Sequence, residues 1–220
     1  MDARATPGRW PTEATLRTDG GSPARGGTLV GLTTSDGVLL AADSRTSRGT
    51  TVAGDRVRKI EQVHPTAALG STDHLGAVQS FVRTVRVEAN RYETDRGEPM
   101  SLSALGTIAS EALQAGPSPT PTVVLGGVDG EGPHLFTVDP EGGRLEDRPL
   151  AVGTGRAVAS GVLEARAADS PTATEARRLA GAALAAATER DARTGTGVHV
   201  ADVTADGVAI SRYGSTDELR

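Results

Sequence analysis

Apolar and polar residues alternate with a two-residue period in several short segments, which predicts β-strands. Near the start, Val30 and Leu32, and then Val38 and Leu40, flank the turn Ser35-Asp36-Gly37. Glycine tolerates the left-handed backbone that tight turns require, so this arrangement predicts a β-hairpin. By the same reasoning, further strands are predicted over 58–63, 67–70, 122–128, 134–138, 144–152, 198–204 and 208–213.

Between these strands the apolar period changes to three and four residues, which predicts four helices. The first carries one apolar stripe and ends near Arg96-Gly97; the stripe consists of Leu75, Val78, Val82, Val85, Ala89 and Tyr92. The second helix is predicted over 101–114 and is stopped by Gly116-Pro117. The remaining two are predicted over 156–168 and 172–193.

The start of the last helix carries a specific signal. Thr172 stands three residues before Glu175, the spacing of a capping box, in which each side chain accepts a hydrogen bond from the other residue's backbone N–H. The helix is then expected to bury Leu179, Ala183 and either Ala186 or Ala187.

The order of elements predicts an α/β (α+β) fold with two stacked sheets. Strands, two helices, strands, two helices and strands cannot share one sheet face, so helix layers should cover both outer faces of a sandwich. A chain of 220 residues suits a single domain, predicted over 27–220. With 2% aromatic residues, its core must be built from aliphatic side chains.

Composition and charge exclude several classes of function. A net charge of −5 with interspersed signs offers no basic surface for nucleic acid, and no apolar run is long enough for a transmembrane helix. The chain has no cysteine, and its four histidines are scattered without metal-ligand spacing. Gly153-Thr154-Gly155 lacks the third glycine of a dinucleotide loop. We therefore expect no metal, no cofactor, no nucleic acid and no membrane.

Residues 1–26 differ in composition from the rest of the chain. They are rich in Thr, Pro, Arg and Gly, and they lack the apolar segment of a secretory signal. This composition predicts a disordered leader in a cytoplasmic protein.

One stretch predicts the family. Gly26-Gly27-Thr28 is followed by the hairpin, then by Asp43-Ser44-Arg45 and Lys59. The pattern resembles the start of a mature proteasome β-type subunit: a glycine, a threonine nucleophile freed as the new N-terminus, a second threonine, a hairpin, an Asp-x-Arg and a lysine. Counted back from Asp43 without gaps, the nucleophile position falls on Gly27 and the second threonine on Thr28.

The resemblance extends over nearly all of the chain after the leader and is greatest to haloarchaeal β subunits. It implies the four-layer α-β-β-α sandwich of the amino-terminal-nucleophile (Ntn) hydrolases, the superfamily of the threonine peptidases. It also implies partners, namely proteasome α-type ring subunits, other β-type subunits and unfolded polypeptide substrates. On this basis the leader is a propeptide.

The family's mechanism gives expected roles to several residues. A threonine hydroxyl needs a nearby base, which the freed α-amino group can provide, and a charged lysine that favours the anionic oxygen. The resemblance places Asp43, Lys59 and Asp191 at the family's charged positions. Thr154 and Thr194 stand where the family has serines, and Thr46, Ser47 and Asp73 are expected to face the substrate.

Two positions depart from the family pattern. Gly27 has no side chain and therefore cannot attack a carbonyl. Asp73 replaces a glycine whose backbone N–H faces the substrate carbonyl, so its carboxylate would oppose the negative charge that develops on oxygen. Loss of one oxyanion donor typically lowers the rate by about 10² to 10³. The sequence therefore predicts a noncatalytic ring subunit that keeps its leader.

The alternative is an active threonine-type endopeptidase in which Thr28, unmasked by cleavage after Gly27, is the nucleophile. It requires the first strand to shift by one residue. Because strand side chains alternate, this shift would exchange the strand's two faces, and we expect it to expose the apolar face carrying Val30 and Leu32 to water.

Overall fold

The computed structural model describes residues 26–219 except 74, 117–120, 140 and 147–148. Most of the predicted leader therefore lies outside the described residues. The strands are β1 Thr28–Thr33, β2 Gly37–Asp43, β3 Thr46–Arg48, β4 Thr51–Gly54, β5 Ile60–His64, β6 Ala67–Gly70, β7 Val123–Asp129, β8 Gly132–Val138, β9 Arg144–Glu146, β10 Leu150–Gly153, β11 Val198–Thr204 and β12 Gly207–Tyr213. The helices are α1 Leu75–Arg96, α2 Leu102–Ala115, α3 Arg156–Arg166 and α4 Ala173–Arg190, and Thr216–Leu219 form a short 3-10 helix.

The strands form two five-stranded antiparallel sheets. The first has the order β10-β1-β2-β11-β12 and the second the order β5-β6-β7-β8-β9, while β3 and β4 pair with each other as a separate hairpin. Helices α1 and α2 pack on the second sheet, and α3 and α4 pack on the first. The predicted four-layer α-β-β-α sandwich is confirmed.

Three hydrophobic cores lie between the four layers. One joins α1 and α2 to the second sheet, and another joins α3 and α4 to the first. The third lies between the sheets and includes Leu29, Leu40, Val124 and Leu135. Both faces of β1 are therefore buried, with Leu29 in the core between the sheets and Val30 under the helices. This double burial positions the residues that begin the strand.

Several local predictions are confirmed. Val78, Val82, Val85 and Ala89 are buried on α1, as the apolar stripe predicts. The capping box at the start of α4 is formed, and Leu179, Ala183 and Ala187 face the core.

Within the described residues, no helix is long and apolar enough to cross a membrane.

The predicted strand over 144–152 was wrong, because the segment is divided between the two sheets. β9 pairs with β8 at the edge of the second sheet, whereas β10 pairs with β1 in the first. Pro149, just before β10, has no backbone N–H to continue a ladder. The β3–β4 hairpin and the C-terminal 3-10 helix were not predicted from the sequence.

Candidate functional site

The candidate site lies where β1 begins, beside the end of β2. Thr28 pairs with Gly153 of β10, and Leu29 pairs with Ala42 of β2. Asp43 is the last residue of β2, and Lys59 directly precedes β5 of the other sheet. The site is thus built where the two sheets meet at one end of the sandwich.

Asp43 is fully buried and accepts four hydrogen bonds. Its Oδ1 accepts from the backbone N–H of Thr28 and from the Lys59 ammonium, both at 2.7 Å. Its Oδ2 accepts from the backbone N–H groups of Arg45, at 2.9 Å, and Gly195, at 2.8 Å. A buried carboxylate is tolerated when its oxygens are satisfied in this way. Asp43 therefore joins three separate segments of the chain.

Lys59 points inward from the second sheet, and its side chain is 5% exposed. Its Nζ donates to Asp43 Oδ1 and, at 3.1 Å, to the carbonyl oxygen of Gly26. Burial lowers the pKa of Lys59 below its ordinary value, and the charge of Asp43 opposes that shift. Lys59 is also the only lysine of the chain, beside 22 arginines. Because lysine occurs only once, the sequence itself indicates a specific role for this residue.

Gly27 occupies the position at which the resemblance expects a nucleophile. A Cβ added there would lie less than 3.0 Å from both Lys59 Nζ and Asp43 Oδ1. The φ angle of Gly27 is +103°, which side-chain-bearing residues rarely adopt. The ion pair therefore fills the space into which a side chain at position 27 would project.

The backbone of Gly27 is held by Thr154. Its N–H donates to Thr154 Oγ1 at 3.1 Å, and its carbonyl accepts from the Thr154 N–H at 2.9 Å. Thr154 lies just after β10, so the β1–β10 pairing continues by one residue beyond the strand ends. This pairing fixes the register of Gly27 independently of the ion pair.

Thr28 directs its hydroxyl away from that ion pair. The side chain is fully buried, and its Oγ1 lies 2.8 Å from Thr194 Oγ1. A Cβ on Gly155 would lie less than 3.0 Å from this hydroxyl, so only glycine allows so close an approach. Since alternate residues of a strand point to opposite faces, Thr28 faces the helices and position 27 faces the other sheet.

Asp191, the residue after α4, completes the polar network. Its Oδ2 accepts from Thr154 Oγ1 at 2.5 Å and from Thr194 Oγ1 at 2.6 Å. The carboxylate therefore binds two hydroxyls, and its negative charge also acts on Lys59, whose charged form it favours. The structure brings together five predicted site residues around Gly27 and Thr28: Asp43, Lys59, Thr154, Asp191 and Thr194.

The structure corrects the predicted consequence of a one-residue shift of β1. Val30 and Leu32 would not become exposed to water, because both faces of the strand are buried. The obstacle is steric instead. A Cβ on Gly31 would lie less than 3.0 Å from Leu135, so this place between the sheets cannot accept the larger Leu32, which the shift would move there.

Asp73 lies at a cavity of about 450 Å³ beside the site. Its Oδ2 accepts from the Thr122 N–H at 2.8 Å. Its own N–H, which the resemblance expects to face a substrate carbonyl, donates to Ser71 Oγ at 3.2 Å. The cavity is lined by Gly26, Thr72, Asp73, Thr122, Thr137, Leu145, 149–154, Arg156, Ser160 and Glu164.

Thr46 and Ser47, the other two residues expected to face a substrate, lie apart from this cavity. They begin β3, where Thr46 is half-buried and Ser47 is buried. Arg45, just before them, was not in the predicted site. Its Nη1 donates to the carbonyl of Ala192 at 3.0 Å and to that of Thr194 at 3.3 Å. Arg45 thus holds the segment after α4 against the end of β2.

Acidic and histidine residues of the described part form no group that could hold a metal ion. The chemistry of the site therefore rests on one buried lysine, two carboxylates and three threonine hydroxyls. Such a set can hold a charge and relay a proton around the start of β1. At position 27 itself it offers no nucleophilic oxygen.

Comparisons with known proteins agree with the fold and show the family. A family model described as "Proteasome subunit" matches residues 24–203. The chain is 46% identical over 195 residues to "Proteasome subunit beta 1" of Haloarcula marismortui, covering 88% of this chain and 81% of the relative. It is 47% identical over 204 residues to "Proteasome subunit beta" of Halomicrobium mukohataei, covering 92% and 86%. The Halobacterium salinarum "Proteasome subunit beta" is 43% identical over 195 residues, covering 88% and 80%.

Proposed function

The chain belongs to the proteasome subunit family as a β-type member, similar to haloarchaeal β subunits, and we propose that it is a ring subunit whose own site does not cleave peptides. It contributes to protein degradation by completing the core particle. The residues around its site then serve mainly to hold the start of β1 in place.

The observation that carries this proposal is the filled space beside Gly27. Hydrolysis in this family requires a hydroxyl at that position, and here Lys59 and Asp43 come together where the side chain would stand. A second observation supports it: the Asp73 N–H, expected to stabilise an oxyanion, donates to Ser71. The two differences affect separate parts of the reaction, the attack and the stabilisation of its intermediate.

The same reasoning applies to the leader. Removal of a propeptide by the chain itself needs a hydroxyl next to the scissile bond, which Gly27 lacks. We propose that residues 1–26 stay attached to the domain 27–220.

We also propose a cytoplasmic particle in which this chain contacts α-type ring subunits and other β-type subunits. Unfolded polypeptides are cleaved in that particle by an active β subunit.

One observation favours the alternative, in which Thr28 is the nucleophile. Its hydroxyl touches Thr194, which in turn donates to Asp191, so a proton could pass from Thr28 to a carboxylate. Against it, Thr28 is fully buried, and its N–H is engaged by Asp43. The shift that would bring it to position 27 meets the steric barrier at Gly31.

The deciding experiment uses this chain as the only β subunit, co-expressed with an α-type subunit. Intact mass gives the N-terminus, and an electrophilic peptide probe reports a reactive N-terminal threonine. We expect the leader to be retained, including Trp10, and no labelling of Thr28. Co-purification at the size of a proteasome particle tests the assembly.

Two results would reject the proposal. An N-terminus at Thr28 together with labelling of that residue would establish the peptidase. A stable isolated monomer in the presence of α and active β subunits would reject the ring assembly. The variant Thr28→Val is the control, because it removes the candidate nucleophile and should show the same N-terminus and the same absence of labelling as the wild type.

A further inference from the structure

Strand β10 is an edge strand of the first sheet. It pairs with β1 on one side, and no other described strand pairs with it. The N–H of Thr154 donates to the carbonyl of Gly27, so the backbone of Thr154 faces β1. Alternate residues of an antiparallel strand turn their N–H and C=O groups to opposite sides. Ala151 and Gly153 therefore direct both of their backbone groups away from β1.

These outward groups are free to bind another chain. Within the part of the chain that the structure describes, no residue donates to or accepts from the outward N–H and C=O groups of Ala151 and Gly153. Residues 149–154 line the cavity of about 450 Å³, and 151–153 are only half-buried. Because backbone N–H and C=O groups are strong hydrogen-bonding groups, this edge can accept a further strand.

Two other elements line the cavity beside β10. Helix α3 contributes Arg156, Ser160 and Glu164, which are spaced by four residues and so share one helix face. The second sheet contributes Thr137 of β8 and the exposed Leu145 of β9. The open edge of β10 thus lies between a helix and the other sheet. A strand added there would contact side chains on both of its faces.

The cavity continues along the edge of the sheet. A second cavity of about 420 Å³ shares Pro149 and Glu164 with the first and extends past the end of α3 to Pro171. Over positions 149–154 alone, an extended chain spans about 17 Å. An elongated space beside unpaired backbone groups fits an extended polypeptide, whose own backbone supplies the matching donors and acceptors.

The flanking elements also limit what can reach this edge. Open edges on flat surfaces promote pairing between whole sheets, and natural proteins cover or shorten them. Strand β10 has four residues, with α3 on one side and the second sheet on the other. A single extended chain can enter this space, whereas the sheet of a second copy cannot.

We propose that the open edge of β10 binds an extended segment of an unfolded polypeptide, which becomes a sixth strand of the first sheet. The inference rests on the proposed function, in which the site does not cleave peptides, so the segment is held and not cut. Ala151 and Gly153 supply the backbone hydrogen bonds. Since the edge ends at Thr154, which pairs with Gly27, the segment lies beside the candidate site.

A photoreactive peptide tests this site on the full chain assembled with an α-type subunit. The probe has eight residues, alternately threonine and valine, which favour extended backbone, with a benzophenone side chain near one end and a fluorescent label. Illumination links the benzophenone to a nearby residue, and peptide mapping by mass spectrometry locates the link. We expect links within residues 145–164. Links confined to other parts of the chain, or to the α-type subunit, would overturn the proposal.

The matched control is the same peptide with N-methyl groups on its two central residues. Neighbouring residues of a strand donate to opposite edges, so this peptide cannot pair fully by either edge although its side chains are unchanged. We expect it to lose the link. Equal linking by both peptides would show that side chains alone bind the probe, which rejects the strand pairing.

A substitution tests the same hydrogen bonds from the side of the protein. Ala151→Pro removes one outward N–H and no N–H that faces β1, a change that edge strands tolerate. Binding of the probe, measured by fluorescence anisotropy, should weaken about five- to tenfold. Ala151→Ser keeps the N–H and should bind as the wild type does. Equal affinity of the proline and serine variants contradicts the proposal; if the proline variant does not fold, the N-methylated peptide still decides.

The mass of the recovered probe separates the two proposals. In a particle with this chain as the only β subunit, an intact probe linked within 145–164 supports the binding site. An intact probe without that link rejects the binding site and leaves the noncatalytic function standing. A cleaved probe rejects the noncatalytic function and, with it, the inference that the segment is held uncut.

Discussion

The hydroxyl of Thr28 lies 2.8 Å from the hydroxyl of Thr194 and points away from the Lys59 ammonium. Thr28 is thus a buried residue on the helix-facing side of β1. Position 27, on the other side of the strand, is the one that faces the lysine. Thr28 is therefore one residue away from position 27, the position at which a nucleophile would act.

We expect Thr28→Val to lower stability without changing reactivity. Valine keeps the shape of threonine but loses the hydrogen bond to Thr194, which should cost about 1 kcal/mol. Urea denaturation measures the loss, and Thr28→Ser, which keeps the hydroxyl, is the control. Equal stability of the valine variant and the wild type would show that this hydrogen bond contributes nothing.

Substitutions at Gly27 should separate two effects: the steric effect of a Cβ at position 27 and the chemical effect of a hydroxyl at position 27. Gly27→Ala and Gly27→Thr both place a Cβ against Lys59 and Asp43 at a φ of +103°, and we expect each to lose about 1–3 kcal/mol. The long Lys59 side chain can move away from the new Cβ, so the fold should survive.

Only Gly27→Thr should gain nucleophilic reactivity. It places a hydroxyl beside Lys59, so we expect partial removal of the leader and labelling of the new threonine by an electrophilic peptide probe, both absent from Gly27→Ala. Adding Asp73→Gly should increase the labelling, because the carboxylate opposes an oxyanion. If Gly27→Thr stays as inert as Gly27→Ala, the missing hydroxyl is not what prevents activity.

The Asp43–Lys59 pair should be important for stability. Lys59→Met leaves a buried carboxylate without its cation, and breaking a buried pair in this way costs about 3–5 kcal/mol. Asp43→Ala should cost more, because it also removes the acceptor of the Thr28, Arg45 and Gly195 N–H groups. Asp43→Asn keeps one carbonyl acceptor, so it should lower the free energy of unfolding less than Asp43→Ala does. The reverse order in urea denaturation would contradict the role assigned to Asp43.

His199 should make the fold sensitive to mild acid. It is 6% exposed, it shares a face of β11 with Ala201 in the core between the sheets, and its Nδ1 has no partner among the described residues. Burial lowers the pKa of His199, and the positive charges of Arg212, Arg58 and Lys59 lower it further, against the opposing charge of Asp43.

The sign follows from proton binding. Below the ordinary histidine pKa of about 6.5 the unfolded chain takes up a proton that the folded chain does not, so stability falls as the pH falls through this region. We expect His199→Leu to flatten the decline in urea midpoint between pH 7 and pH 5. An unchanged slope in His199→Leu would refute the assignment.

The capping box of α4 offers a test of local stability. Thr172 Oγ1 accepts from the Glu175 N–H at 3.3 Å, and Glu175 accepts from the Thr172 N–H at 2.8 Å. We expect Thr172→Ala to lose about 1 kcal/mol in thermal or urea denaturation. Thr172→Ser keeps the cap, so its stability should stay within a few tenths of a kcal/mol of the wild type. If Thr172→Ser lost as much stability as Thr172→Ala, this result would contradict the role of the cap.

Local periodicity was enough to determine most of the elements and the order of the layers. Apolar spacing of two or of three and four depends only on neighbours in the chain, so the β1–β2 turn, the stripe of α1 and the cap of α4 were predictable. The same local pattern could not show that 144–152 is divided between the two sheets, because that depends on which strands accept the two halves.

The family also followed from the sequence, through the spacing of Gly27, Asp43 and Lys59. Only the tertiary structure determined which atoms of these residues are in contact. Asp43 ends a strand of one sheet, Lys59 precedes a strand of the other, and Asp191 follows a helix of the outer layer, so packing alone sets the distances between them. Packing also determined that both faces of β1 are buried and that the ion pair fills the space beside Gly27, since neither burial nor side-chain convergence is encoded in local spacing.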